Sequence, residues 1–126
     1  MKLLVVDDSL VVRNAISRTS AAAGSITDVL RAEDGKVAIE LFAAHRPELV
    51  TMDLTMPNVD GLRAITAIQA MEPGVSILVI SALNSHQVAL EAIRRGACGF
   101  LTKPFTEREV VEALEELIRH ARVRAA

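Results

Sequence analysis

The chain has no tryptophan and no tyrosine, a single cysteine, and no large surplus of charge of either sign. Nor does any apolar run approach the roughly 20 residues that a helix needs to cross a bilayer, so no membrane association is expected. With Cys98 alone, an internal disulfide is excluded, and its place beside an apolar stretch predicts a reduced core thiol. Met1-Lys2 leads straight into a strand-like run without the charged, apolar and small-residue regions of a secretory signal, which predicts a cytoplasmic location. The 14 Lys and Arg against 16 Asp and Glu give a formal net charge of −2, a poor electrostatic footprint for nucleic acid. The nearest basic cluster is Arg119, His120, Arg122 and Arg124. It ends a helical stretch that begins with Glu107, Glu109, Glu112, Glu115 and Glu116, the order a helix dipole favours. His45, His86 and His120 lie far apart, without ligand spacing, and read as surface residues.

In place of these features the chain has a regular alternation of short apolar runs and amphipathic stretches. No repeat, low-complexity segment or linker interrupts it, and 126 residues fit one domain, 1–126, with its core over about residues 3–120. Strand–helix units recur about every 20 to 25 residues, which predicts an α/β fold with a buried parallel sheet. Ser9 is expected to cap a first helix that ends before Gly24, a natural residue just past a helix end. The mixed polarity of Asp28-Val29-Leu30-Arg31-Ala32 suits a strand at a sheet edge. Asp34-Gly35 turns into a second helix with Val37, Ala38, Leu41 and Phe42 inward, ended by Arg46-Pro47. The loop from Thr55 to Gly61 feeds a third helix to about Met71, and Ser85 caps a fourth that ends at Arg95-Gly96. Thr106-Glu107-Arg108-Glu109 is a capping box for the last helix, whose Val110, Leu114, Leu117, Ile118 and Ala121 form one apolar stripe.

Five polar residues and their neighbours fall where these runs end. Asp7 and Asp8 follow Leu3-Leu4-Val5-Val6, Asp53 follows Leu49-Val50-Thr51-Met52, Ser81 follows Ile77-Leu78-Val79-Ile80, and Lys103 follows Gly99-Phe100-Leu101-Thr102. In an open parallel sheet the ligand crevice lies outside the carboxyl ends of the strands, so all of them are expected at one rim. Close carboxylates repel, by about 1 kcal/mol per pair in water and about 4 kcal/mol at an effective dielectric of 20. Such a rim calls for a cation.

Four pieces carry a family resemblance: Val5-Val6-Asp7-Asp8-Ser9, Met52-Asp53-Leu54-Thr55-Met56-Pro57-Asn58-Val59-Asp60-Gly61, Ser81-Ala82, and Gly99-Phe100-Leu101-Thr102-Lys103-Pro104-Phe105. Each alone is weak, but together and in this order the chain resembles the receiver domains of two-component response regulators, and among them the single-domain chemotaxis regulators. The resemblance implies a flavodoxin-like five-stranded parallel sheet in the order 2-1-3-4-5, with five helices on both faces. It makes Asp53 the phosphoacceptor, served by a histidine kinase. Asp7, Asp8, Asp53 and the backbone carbonyl of Thr55 would hold Mg²⁺, a hard cation that prefers oxygen ligands. Lys103 would pair with the phosphoryl group and Ser81 would donate to it. Ser81 and Phe100 would form the switch, and Thr55 and Leu83 would set the lifetime of the phosphorylated state. A downstream protein would dock on the surface of the fourth helix, fifth strand and fifth helix. On this reading the chain is no enzyme in its own right, and neither nucleic acid nor membrane is a direct partner.

Plainer roles exist for each residue taken singly. Asp53 could cap a helix, Asp7 and Asp8 could be a solvated strand end, Lys103 a surface lysine before a proline, and Phe100 simple core. Rival functions also stand at this point. An aspartate-nucleophile phosphatase shares the acyl phosphate and Mg²⁺, but that class needs a second aspartate where Thr55 stands. A receiver that docks without phosphorylation is disfavoured by the intact acidic positions, Ser81 and Lys103. A receiver segment of a larger DNA-binding regulator is left open by the ending Arg122-Val123-Arg124-Ala125-Ala126.

Overall fold

The computed structural model describes residues 1–125. In chain order the elements are β1 (Lys2–Val6), α1 (Leu10–Ser20), a 3₁₀ turn (Ala21–Ala23), β2 (Asp28–Ala32), α2 (Gly35–His45), β3 (Leu49–Met52), α3 (Gly61–Met71), β4 (Ser76–Ser81), α4 (His86–Arg95), β5 (Gly99–Thr102) and α5 (Glu107–Ala125). The strands form one sheet in the order β2-β1-β3-β4-β5, every neighbouring pair parallel. The expected α/β class, strand order and helix number are therefore the observed ones. β2 takes an edge, as its exposed Asp28 and Arg31 require. Among the described residues no helix is long and apolar enough to cross a membrane.

Period-two alternation along the strands divides the core between the two faces of the sheet. Leu4, Val6, Val50, Met52, Ile77 and Val79 pack under α2, α3 and α4 against Phe42, Ile65, Ile68 and Ala92. Leu3, Val5, Leu49, Leu78 and Ile80 face the other way, against Ile16 of α1 and the buried stripe Val110, Leu114, Leu117, Ile118 and Ala121 of α5. Because β1, β3 and β4 are covered on both faces, their ends can carry polar groups only at the rims.

Every helix start is chemically marked. The side chains of Ser9, Asp34, Asp60 and Ser85 accept from the backbone N–H groups of Val12, Val37, Arg63 and Val88. In the capping box, Glu109 N–H donates to Thr106 Oγ1 at 3.1 Å and Thr106 N–H to Glu109 Oε1 at 2.9 Å. Arg46, in the left-handed region at φ 46°, closes α2 through its N–H to Phe42 O.

Two expectations need correction. The α-helical part of α1 stops at Ser20, and the 3₁₀ turn covers the remaining distance to Gly24. Ser17 Oγ donates to Arg13 O and Ser20 Oγ to Ser17 O, each at 2.7 Å, and such back-bonding competes with the helical ladder. Cys98 is exposed rather than a core thiol. It lies at the entry to β5, an edge strand, where the buried neighbour is Ala97, and its Sγ donates to Ile77 O at 3.3 Å.

The start of α3 is pressed against the end of β3. A Cβ on Gly61 would lie 2.1 Å from the backbone O of Asp53 and 2.7 Å from Leu54 Cα, so only glycine fits without moving backbone. Gly61→Ala is therefore expected to destabilise the fold by about 1–3 kcal/mol through overpacking. A thermal melt followed by circular dichroism checks this, and a melting temperature equal to that of the parent chain contradicts it.

Candidate functional site

The parallel register brings the strand-end residues together. Val6 of β1 lies opposite Met52 of β3, so Asp7 and Asp53 leave the sheet side by side. The ladder continues one step beyond the strands, with Asp53 N–H donating to Val6 O at 2.9 Å and Asp7 N–H to Ala32 O at 3.1 Å. Ser81 lies opposite Thr102, and the next residue, Lys103, donates its N–H to Ser81 O at 2.9 Å. Asp7, Asp8, Asp53, Ser81 and Lys103 thus meet at one rim, as their sequence positions predict.

Within that rim, carboxylate oxygens of Asp7, Asp8 and Asp53 all lie within 4.8 Å of one another. Asp7 and Asp53 are buried, and Asp8 is exposed. Lys103 reaches between the two buried members, its Nζ 2.7 Å from Asp7 Oδ2 and 3.7 Å from Asp53 Oδ2. The Lys103–Pro104 peptide is cis. The second oxygen of Asp7 accepts from Ser9 N–H at 2.9 Å. Asp53 is held more loosely, with Thr55 N–H donating to its Oδ1 at 3.4 Å.

This asymmetry sets the electrostatics. Burial pushes the Asp53 carboxyl above the ordinary carboxylate range, and the charge of Asp7 adds to the rise. The Lys103 ammonium and the Thr55 N–H oppose it without cancelling it, and Asp8 raises it further. Asp53 is not the cap of α3, a role filled by Asp60. An all-oxygen donor set with two buried carboxylates and one open to solvent fits a hard divalent cation that keeps some of its water. The same carboxylate is chemically able to act as a nucleophile toward phosphorus.

The remaining predicted residues surround this centre. Ser81 is fully buried, and its Oγ accepts from Leu83 N–H at 3.1 Å while its own hydrogen can still be donated. The side chains of Thr55 and Leu83 are exposed, Leu83 to 46%. Phe100 is half-buried on β5, opposite Val79. It touches the core beneath α2–α4 and lines a pocket of about 260 Å³ with Leu78, Cys98, Leu117 and His120. His45, His86 and His120 are all exposed, though His120 Nδ1 bonds Ser76 Oγ at 2.6 Å. The basic end of α5 is tied to neighbouring loops, Arg122 to Ser25 Oγ at 2.6 Å and Arg124 to Glu72 at 2.6 Å.

Sequence reasoning passed over Arg13. Its Nη1 donates to the backbone O of Asp7 at 2.6 Å and so fixes the turn on which both acidic residues sit. An arginine one helical turn inside α1, after an acidic pair and an N-cap, was the available signal.

The fold and this rim define a class of protein. The model of the response regulator receiver domain matches residues 3–115, and the chain belongs to that family: it is a signalling receiver of the two-component type. Among relatives, the chemotaxis protein CheY of Listeria monocytogenes is 36% identical over 116 residues, 92% of this chain and 97% of that protein. The probable transcriptional regulatory protein NarL of Mycobacterium tuberculosis is 34% identical over 114 residues, 90% of this chain but only 53% of that longer protein. Among solved structures, a CheX–CheY complex with BeF₃ and Mg²⁺ from Borrelia burgdorferi matches with a TM-score of 0.86 at 27% identity, covering 94% of this chain and 89% of that one.

The raised pKa of Asp53 has a signed consequence for stability. A carboxyl with a folded-state pKa above its unfolded value favours folding below the unfolded value, and loses that contribution as pH rises through the folded value. In metal-free protein, Asp53→Asn should therefore be more stable than the parent at neutral pH, and the difference should shrink as pH falls toward the ordinary aspartate value of about 3.9. Melts of both proteins across this range check it, and a pH-independent difference contradicts it.

Proposed function

We propose that the chain accepts a phosphoryl group on Asp53 from a histidine kinase and presents the change on the face formed by α4, β5 and α5. The observation that carries this reading is the buried Asp53 carboxylate set within 4.8 Å of Asp7 and Asp8, with Lys103 Nζ beside it at 3.7 Å. An Asp53 oxygen forms the new bond to phosphorus as the bond to the donor's nitrogen breaks, giving an acyl phosphate. Asp7, Asp8, Asp53 and the Thr55 carbonyl would hold Mg²⁺, which when bound supplies positive charge for the phosphoryl oxygens. Lys103, on its flexible stem, exchanges its carboxylate partners for the phosphoryl group, a role a point charge fills well. Ser81 donates its hydroxyl hydrogen to a phosphoryl oxygen. The similarity to the Borrelia CheY, solved with BeF₃ and Mg²⁺, supports the cation and the phosphoryl chemistry.

Phosphorylation adds about −1.5 to −2 charges at a rim already rich in carboxylates. It biases a surface only as far as two states differ in their contacts with it. Ser81 at the end of β4 and Phe100 on the adjacent β5 connect the rim to the α4–β5–α5 face, where Leu90 and Ile93 are exposed at 40% and 54%. That apolar exposure suits a protein partner. Thr55 and the exposed Leu83 would flank the approach of an attacking water, and because Leu83 offers nothing to orient it, Leu83→Glu is expected to shorten the phosphorylated lifetime. The chain is thus a phosphoacceptor acting in the cytoplasm, with its own phosphorylation and dephosphorylation chemistry but no separate substrate. Similarity to NarL, of which the chain spans about half, favours as second reading the receiver part of a DNA-binding regulator. Similarity to CheY of nearly equal length favours a chemotaxis role.

Incubation with acetyl phosphate or phosphoramidate followed by intact-mass measurement is the test. A single phosphoryl addition is expected in the presence of Mg²⁺, lost in Asp53→Asn and on chelation. Equal addition to Asp53→Asn, or indifference to chelation, contradicts the reading.

A further inference from the structure

The loop between β3 and α3 is fastened at its middle by a residue far away in sequence. Its ends are fixed by neighbours: Thr55 N–H lies on Asp53 Oδ1, and Gly61 N–H donates to Leu54 O at 3.2 Å. Asn58 and Val59, between them, are anchored on the start of α2. The buried carboxylate of Asp34 divides its oxygens, Oδ1 accepting from Val37 N–H at 2.9 Å as the helix cap and Oδ2 accepting from Asn58 Nδ2 at 2.8 Å. Beside it Gly35 N–H donates to Val59 O at 3.1 Å. A Cβ on Gly35 would fall 2.2 Å from that same oxygen, so the loop backbone lies directly on the glycine. Asn58 itself sits in the left-handed region at φ 65°, which asparagine and aspartate tolerate better than other residues with side chains.

None of these groups belongs to the acidic cluster, yet they set the path of the segment that contains Thr55. We infer that Asp34 and Asn58 are a positioning pair, locking the β3–α3 loop so that the Thr55 carbonyl is held for a divalent cation; the inference rests on the metal role proposed above. A helix cap alone would need only one Asp34 oxygen. The second oxygen, aimed at the loop, is what the cap leaves unexplained.

Donor and acceptor chemistry separates the two roles. Asparagine caps helices about as well as aspartate, so Asp34→Asn keeps the α2 cap but replaces the charged acceptor facing Asn58 Nδ2 by an N–H donor, with which Asn58 can pair only by turning its amide over and giving up the charge-assisted bond. Adding Asn58→Asp restores a donor–acceptor pair with the same net charge and a residue that still accepts positive φ. Two readouts suffice: Mg²⁺ affinity by titration calorimetry, and hydrogen exchange of the Thr55, Met56, Asn58 and Val59 amides in metal-free protein. Asp34→Asn should weaken Mg²⁺ binding about 10-fold, the scale typical of groups that orient metal ligands, and should speed exchange in the loop. The double swap should restore both.

Wild-type affinity and exchange in Asp34→Asn, or a double swap no better than the single change, would overturn the inference. If the parent chain bound no Mg²⁺ while loop exchange rose in the single variant and fell in the swap, the lock would stand and the metal reading would fail instead.

Discussion

The structure depends on holding like charges together at the carboxyl ends of β1 and β3. Parallel pairing of Val6 with Met52 leaves Asp7 and Asp53 no separation along the sheet, and both are buried there. The resulting repulsion is relieved inside the protein by Lys103, which contacts Asp7 at 2.7 Å and Asp53 at 3.7 Å. Asp53 gets the weaker share and has the raised pKa. Of the two buried carboxylates, the less well satisfied is the one proposed to react. That unevenness follows from the fixing of Asp7 by Ser9 N–H and of its backbone by Arg13, which aim it at the lysine.

The rest of the fold resists this local strain. Core on both faces of the sheet keeps β1, β3 and β4 in register, so the carboxylates cannot relax by sliding apart. Gly61 lets α3 begin directly against the Asp53 backbone, and Gly35 lets the β3–α3 loop lie on the start of α2. Of the rim residues Ser81 ends β4, and on edge strand β5 Phe100 lies three residues before Lys103.

Much of this was legible in the chain itself. Short apolar runs closing on Asp7, Asp53, Ser81 and Lys103 specify both a parallel sheet and a single rim, because backbone direction alone decides where strand ends lie. Ser9, Ser85 and the Thr106–Glu109 box mark helix starts through bonds that span three residues. What sequence could not supply were contacts between distant segments, or choices between competing local bonds. The Asp34–Asn58 bond joins residues 24 apart, and Ser76–His120 joins residues 44 apart. The early end of α1 rests on serine back-bonding that the sequence pattern did not distinguish from continued helix. The exposure of Cys98 depends on which strands form the sheet edges, a property of the whole topology.

The central claim is that the carboxylate rim is a cation site that the folded protein holds at some cost. Calorimetric melts of the parent chain and of Asp8→Ala with increasing Mg²⁺ test it most directly, since heat capacity needs no tryptophan or tyrosine. Mg²⁺ is expected to stabilise the parent by about 2.7 kcal/mol at a hundredfold excess over the dissociation constant, and Asp8→Ala to lose most of this gain. Equal Mg²⁺-induced shifts in the two proteins, or none in the parent, would contradict it.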